Sequence, residues 1–152
     1  MYRLGTVGFG YKQWSGVFYP AGMKPASYLS FYANYFNSVE IDSSFYGTPK
    51  ADTVVKWGNA VPDKFQLCPK TPQQITHDNR LHGQSEEMAH FVKTMVQLGS
   101  KLGPILIQMP PDFTTAEKPT LLQFLDALPT TARYALEFRH LSWESSDINQ
   151  LL

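Results

Sequence analysis

Acidic and basic side chains recur close to the predicted ends of several strands in this sequence of 152 residues. Glu40 and Asp42 alternate with Val39 and Ile41 in a segment that has the composition of a strand. Because successive strand side chains point to opposite faces of a sheet, we expect both carboxylates on one face and both aliphatic side chains on the other. The pattern is typical of a surface strand, and equally of a buried strand that supplies carboxylates to a site.

Polar residues at matching positions of the later strands predict that these carboxylates belong to a larger site. The strand-end residues are Lys70, Gln108, Glu137 and Arg139. Lys70 and Arg139 have the charge to bind a phosphate or a carboxylate group, which leaves Glu40 or Glu137 as a general base. We therefore expect Glu40, Glu137 and Lys70 in catalytic roles. A closed network of salt bridges with no ligand is the alternative interpretation.

Further residues are predicted to bind a ligand because they follow strand ends or lie in loops rich in aromatic residues. Trp14, Phe45, Tyr46 and Trp143 predict an aromatic wall for a sugar or a base, although core packing explains such rings equally well. The predicted ligand-binding residues are Asp42, Tyr46, Gln108, Arg139, His140 and Trp14.

A divalent metal ion is the only cofactor that these residues leave open. Its ligands would be Glu40, Asp42, His77 and His140. No His-x-x-x-His motif or Cys/His cluster supports such a site, so hydrogen-bonded loop histidines are the simpler interpretation. The sequence identifies no cofactor by a motif of its own.

Strands and helices alternate along the sequence, which is the pattern of parallel strands joined by crossover helices. Predicted strands begin near residues 3, 38, 65, 104 and 133, at intervals close to the roughly 31 residues per unit of a (β/α)8 barrel. Predicted helices lie near 25–36, 51–60, 86–98 and 120–128, and a fifth begins after Trp143. The clearest is the third, in which Met88, Phe91, Val92 and Met95 form an apolar stripe at helical spacing.

These elements predict one α/β domain, residues 1–152, with the topology of a TIM-type (β/α)8 barrel. The barrel would be incomplete, with about five strands and four to five helices. A doubly wound open sheet is the alternative, but the glycines at positions 5, 8 and 10 do not match the G-x-G-x-x-G phosphate loop of that fold.

Composition limits the partners of the protein. Thirteen Lys and Arg residues balance thirteen Asp and Glu residues, so a nucleic-acid partner has no support from net charge. There is one cysteine, Cys68, and the sequence shows neither a signal segment nor an apolar run of about 18 residues. These features predict a cytoplasmic protein with no membrane partner.

Ordered motifs along the chain carry a family resemblance. They are Gly5-Thr6 with Gly8, Tyr11 and Trp14, then Gly16-x-Phe-Tyr-Pro20, Val39-Glu-Ile-x-x-x-Phe-Tyr46, Lys70-x-Pro72, Ile75-Thr-His77, Gln108-x-Pro-Pro111 and Glu137-Phe-Arg-His140 with Trp143. From about Leu4 to Trp143 the chain resembles the YecE-like family, the domain-of-unknown-function family numbered seventy-two. The resemblance implies a TIM-type barrel, and it implies no established biochemical activity.

The chain departs from the family pattern at four positions and in length. Val7 and Phe9 stand where the family has a small residue and Trp, Asp42 where Asn is common, and Pro69 where an aliphatic residue is usual. Family members are considerably longer, so five strands alone would leave open edges and an uncovered apolar interior. We expect either a fragment of a longer protein or self-association of two copies.

Three classes of function are compatible with these residues. The leading hypothesis is an enzyme, or the major part of one, that acts on a small anionic or sugar-like ligand at the C-terminal ends of the strands. The second is a metal-assisted phosphodiester hydrolase or a nucleic-acid-binding barrel. The third is a non-catalytic ligand-binding or scaffold protein, so the sequence leaves open whether the protein is an enzyme.

Overall fold

The structure is a computed structural model that describes residues 2–144. Helices and strands alternate through this part of the chain, and short 3₁₀ turns lie between them. The helices are α1 (Tyr28–Tyr32), α2 (Ala51–Asn59), α3 (Ser85–Met95) and α4 (Lys118–Asp126). The strands are β1 (Ser38–Ile41), β2 (Gln66–Pro69), β3 (Ile105–Gln108) and β4 (Tyr134–Glu137). The predicted fifth helix lies outside the described residues.

The strands pair in parallel and follow the order of the chain. β1 pairs with β2, and β3 pairs with β4. Isolated parallel bridges from Leu67 to Leu102 and from Lys70 to Leu106 connect β2 with the segment that contains β3. The observed architecture is therefore a mixed α/β fold with small parallel sheets.

The N-terminal segment does not form the regular first strand that the sequence predicts. Val7 makes a single parallel bridge to Glu40, and backbone hydrogen bonds link Glu40 to Thr6 and Gly8 to Glu40. Gly8 has φ of 70°, a left-handed conformation that turns the chain away from β1. The prediction of a strand here was wrong because this glycine interrupts the extended backbone.

β1 ends earlier than expected, so the prediction that Asp42 continues this strand was also wrong. Residues Asp42–Tyr46 form a 3₁₀ turn, and the hydroxyl of Ser44 lies 2.7 Å from the carbonyl oxygen of Ile41. Serine side chains offer the backbone such local bonds in place of a sheet ladder. The turn carries Asp42 away from the strand but keeps it at the C-terminal end of β1.

The core lies between the helices and the apolar face of the strands. The central aliphatic residues of the first three strands are fully buried, and they are Val39, Ile41, Leu67, Ile105 and Ile107. α3 contributes the predicted stripe of Met88, Phe91, Val92 and Met95, all buried. The opposite face carries the polar side chains of Glu40, Gln108 and Glu137 together with the apolar side chains of Leu106 and Ala135.

Within residues 2–144, every helix is too short or too polar to cross a lipid bilayer.

Candidate functional site at the C-terminal ends of the strands

Three polar side chains lie on the strand face opposite the core. Glu40 of β1 is in register with Cys68 of β2, while Gln108 of β3 is in register with Glu137 of β4. The residues on either side of Glu40 and of Gln108 are buried, whereas Glu40, Gln108 and Glu137 are partly exposed. The burial of β1 alternates as the sequence predicts. β3 alternates in the same way, so Glu40 and Gln108 both lie on the face opposite the core.

A hydrogen bond orients the carboxylate of Glu137. The amide nitrogen Nε2 of Gln108 donates to Oε1 of Glu137 over 2.8 Å. This carboxylate is also near enough to Glu40 to raise the pKa of Glu40. Strands β1, β3 and β4 therefore contribute to one electrostatic environment.

Lys70 follows β2 directly and forms an ion pair with Asp42. Its ammonium nitrogen lies 3.2 Å from Oδ1 of Asp42, and the side chains are 12% and 36% exposed. The same nitrogen lies 4.7 Å from the centre of the Phe45 ring, which is within range of a cation–π contact. Ser44 fixes the lysine backbone, because the amide of Lys70 donates to the Ser44 hydroxyl over 3.0 Å.

Glu40 holds its proton more tightly than an ordinary glutamic acid. Burial raises the pKa of Glu40 above 4.5, the positive charge of Lys70 lowers it, and the negative charges of Asp42 and Glu137 add to the increase. A carboxyl group of this kind can both accept and donate a proton closer to neutral pH than an exposed carboxyl group. Glu40 is therefore the best candidate in the described residues for acid–base chemistry.

A cavity of about 270 Å³ opens beside Glu40. It is lined by residues 8–11 of the N-terminal loop, by residues 40–43 and by Tyr46. Three residues predicted from sequence, Glu40, Asp42 and Tyr46, thus line one space. Aromatic rings and two carboxylates in a small cavity are groups that bind hydroxyl-rich molecules.

His77 contacts the ring of Phe45. The two rings meet edge to face with centres 5.0 Å apart, and Nδ1 of His77 lies 2.8 Å from the hydroxyl oxygen of Thr76. Burial lowers the pKa of His77 below 6.5, and the positive charges of Lys70 and Arg139 lower it further. The negative charges of Asp78 and Asp112 act in the opposite sense, and the net shift favours the neutral imidazole.

Two of the predicted ligand-binding residues are placed elsewhere. Trp14 packs within an aromatic cluster of the N-terminal loop, with ring centres 4.9 Å from Tyr11 and 5.6 Å from Phe18. His140 accepts a hydrogen bond at Nδ1 from the backbone amide of Ser142 over 3.1 Å and caps the 3₁₀ turn that follows. The structure therefore brings neither side chain beside Glu40.

The four aromatic residues of the predicted wall do not form one surface. Phe45 packs edge to face on Tyr46, and Trp143 is buried, stacked on Phe138 with ring centres 4.3 Å apart. The indole nitrogen of Trp143 donates to the carbonyl oxygen of Phe113. The prediction of a single wall was wrong because core packing uses Trp143 and the N-terminal cluster uses Trp14.

The residues of the alternative metal site are also not gathered into one cluster. Among residues 2–144 no group of three or more His, Cys, Asp or Glu side chains is arranged to hold a metal ion. Asp42 is paired with Lys70, and the Nδ1 atoms of His77 and His140 lie beside the Thr76 and Ser142 hydroxyls. The described geometry therefore does not favour Glu40, Asp42, His77 and His140 as ligands of one ion.

Sequence reasoning missed the residues that position Lys70. Ser44 and Phe45 lie in the turn after β1 and contact the lysine backbone and ammonium group. No charge or spacing in the sequence marks a serine hydroxyl as an anchor for the next strand. The aromatic pair at positions 45 and 46 was the only signal available.

Parallel strands with partly exposed acids and a paired lysine at their C-terminal ends define a mixed α/β protein with a candidate small-molecule site. The family model for "Protein of unknown function DUF72" matches residues 3–152. The chain belongs to this family.

Relatives and solved structures agree with this family assignment. YecE of Escherichia coli is 35% identical over 112 residues, which cover 74% of this chain and 41% of YecE. YunF of Bacillus subtilis is 32% identical over 134 residues, which cover 84% of this chain and 48% of YunF. The chain thus spans less than half the length of these relatives.

Two crystal structures of family members share the fold. A DUF72 family protein from Thermotoga maritima superposes with a TM-score of 0.79 at 30% identity, over 99% of this chain and 60% of that protein. A second, from Enterococcus faecalis, superposes with a TM-score of 0.72 at 24% identity, over 98% of this chain and 56% of that protein. The described residues therefore share the fold of the matching part of these two proteins.

Proposed function

We propose that this chain forms part of a TIM-type (β/α)8 barrel. The support is the order of the strands. Hydrogen bonds join the N-terminal segment to β1, and strand pairs and bridges join β1 to β2, β2 to β3 and β3 to β4, all in parallel. A barrel needs neighbours in chain order, whereas a doubly wound sheet has its first strand in the middle.

The proposed activity is proton transfer to or from a small sugar-like ligand that binds beside Glu40. The observation that carries it is the half-buried Glu40, with a raised pKa, in the wall of the cavity that Asp42 and Tyr46 also line. Perturbed carboxyl groups in clefts are characteristic of catalytic acids and bases. Hydroxyl groups of a sugar would donate to the carboxylates, and its apolar face would pack on the aromatic rings.

Lys70 is proposed to balance the negative charge of Asp42 within the site. Its ammonium group neutralises Asp42, which would otherwise raise the pKa of Glu40 without opposition. The ion pair engages Oδ1 of Asp42, and the second carboxylate oxygen would accept a hydrogen bond from the ligand. Gln108 has the matching role for Glu137, since it fixes one of the two carboxylate oxygens.

A small anionic ligand is the second candidate. The positive charges of Lys70 and Arg139 both lower the pKa of His77, while the negative charges of Asp78 and Asp112 raise it, so two cations act in the region of this imidazole beside two carboxylates. Two cations near a neutral imidazole can bind a phosphate or a carboxylate group. The anion would lie beside His77.

Ligand-observed NMR with three probes distinguishes the two candidates. We expect methyl β-glucoside or myo-inositol to bind and Glu40→Gln to weaken that binding by about tenfold, a change of about 1.4 kcal/mol. Glu86→Gln, an exposed substitution on α3, is the matched control. If inorganic phosphate binds instead and Arg139→Gln abolishes its binding, the anionic candidate replaces the sugar-like one. Equal effects of Glu40→Gln and Glu86→Gln would overturn the role of Glu40.

A further inference from the structure

Tyr46 stands between two cavities. Its side chain lines the cavity beside Glu40, of about 270 Å³, and also a second cavity of about 240 Å³. The tyrosine is 76% exposed, although Ser44, in the same turn, is fully buried. An exposed aromatic ring between two clefts is available to pack against a ligand that enters either of them.

The second cavity is formed by the loops that follow β1 and β2. It is lined by residues 45–48, by residues 72–75 and by Asp78 and Glu87. Side-chain amides from Gln73 and Gln74 add donors and acceptors to these two carboxylates. Both loops leave the C-terminal ends of their strands, so this cavity opens on the same edge as the cavity beside Glu40.

The charges of the residues that line the two cavities limit which class of molecule can bind in both. No lysine or arginine is among the residues that line either space in the described part of the chain. The polar and aromatic lining groups are instead carboxylates, amides, one serine and one threonine hydroxyl, and aromatic rings. Such groups bind neutral molecules that carry many hydroxyl groups and repel anions.

Size indicates that the two cavities act together. Ligand pockets usually measure about 300–1,000 Å³, and each of these spaces is smaller than that range. Together they fall within it. A single sugar ring beside Glu40 would fill only the first space and would leave the second without an occupant.

We propose that the two cavities form one extended site for a neutral molecule of two linked, hydroxyl-rich rings, of the disaccharide class, which lies across Tyr46. This inference rests on the proposed sugar-like ligand beside Glu40. One ring occupies the cavity of Glu40 and Asp42, and the other lies in the second cavity. The phenol ring packs against the apolar face of the sugar at the linkage.

The surroundings of Tyr46 hold its ring in place for this role. Phe45 packs edge to face on Tyr46 with ring centres 5.7 Å apart. Phe45 is itself held by Lys70 and by the imidazole of His77. The ring of Tyr46 is therefore connected through Phe45 to the same lysine that pairs with Asp42.

The test is the ratio of two affinities, measured by titration calorimetry with methyl β-glucoside and methyl β-cellobioside. The disaccharide should bind about tenfold more tightly to the unmodified chain, and Tyr46→Ala should bring the ratio close to one. Tyr46→Phe keeps the ring and should keep most of the ratio. Gln74→Ala, in the second cavity, should weaken the disaccharide more than the monosaccharide.

A control variant and two outcomes complete the experiment. Tyr2→Ala removes a tyrosine that is 97% exposed and lies outside both cavities, and it should keep both affinities. If the two probes bind equally while Glu40→Gln still weakens both, the extended site is overturned and the proposed function stands. If neither probe binds and phosphate does, both proposals fail together.

Discussion

The ammonium group of Lys70 lies 3.2 Å from the carboxylate of Asp42, and these two residues shift the pKa of Glu40 in opposite directions. Lys70 lowers that pKa and Asp42 raises it, so the ion pair limits how far burial can raise it. The protonation of Glu40 is thus controlled by a pair that joins the end of β2 to the turn after β1.

The first prediction concerns the titration of Glu40 in variants of this pair. Lys70→Met should raise the pKa of Glu40 further, and Asp42→Asn should lower it, because each change removes one of the two opposing charges. NMR of the ¹³C-labelled carboxyl groups against pH measures both values. Lys93→Met, on the exposed face of α3, should leave the titration of Glu40 as it is. A shift in the same direction for Lys70→Met and Asp42→Asn would contradict the prediction.

The second prediction concerns stability and pH. Because burial raises the pKa of Glu40, the folded protein binds this proton more tightly than the unfolded chain does. Its cost to folding is absent below the ordinary value of 4.5 and fully present above the raised value. Glu40→Gln should therefore unfold at a higher urea concentration than the parent chain at pH 7, and the difference should vanish near pH 4. A difference that grows as the pH falls would show that Glu40 titrates in the opposite sense.

The four helices of the described residues and four of the five predicted strands follow from the sequence, because their apolar patterns are long enough to be recognised. α3 is the best case, since its stripe from Met88 to Met95 is buried as predicted. The first strand failed because one glycine with positive φ decides the conformation of a segment whose composition is that of a strand. Local turn chemistry therefore limits what composition can predict.

The positions of the charged residues in the candidate site could be predicted from the sequence. The residues that surround them were harder to predict. Strand parity and strand-end position indicated Glu40, Lys70 and Glu137, because side-chain alternation is a property of the backbone. Trp14 and His140 were predicted to bind a ligand because of their positions in loops. In a loop the sequence does not determine the direction in which a side chain points. Their rings bind within their own loops instead.

The third prediction concerns a clamp between two loops. Arg80, in the loop after β2, makes two hydrogen bonds of 2.7 Å to the carboxylate of Glu117 and one of 3.0 Å to that of Asp112, beyond β3. Arg80→Lys should lower the free energy of unfolding by about 2 kcal/mol, since lysine cannot form the bidentate contact. Arg133→Lys, which loses one bond to Gln66, should cost much less.

The clamp also predicts a dependence on pH. Hydrogen bonds from Arg80 lower the pKa of Glu117 below 4.5. The contribution of the pair is therefore present above that value and is lost as the pH falls through the lowered pKa. Urea unfolding of the parent chain and of Arg80→Lys should converge at low pH. A constant difference between them down to pH 2 would contradict the assignment to this ion pair.

The last prediction uses two glycines that lie against neighbouring strands. A Cβ atom on Gly103 would lie 2.5 Å from the sulfur of Cys68, and a Cβ atom on Gly5 would meet the carbonyl oxygen of Ser38. Either Gly→Ala change should destabilise the protein by about 1–3 kcal/mol. Cys68→Ala should recover much of the loss in Gly103→Ala, because the clash is with a side chain, but none of the loss in Gly5→Ala. Additive costs of Gly103→Ala and Cys68→Ala in a double-mutant cycle would show that β2 and the segment before β3 are not packed as described.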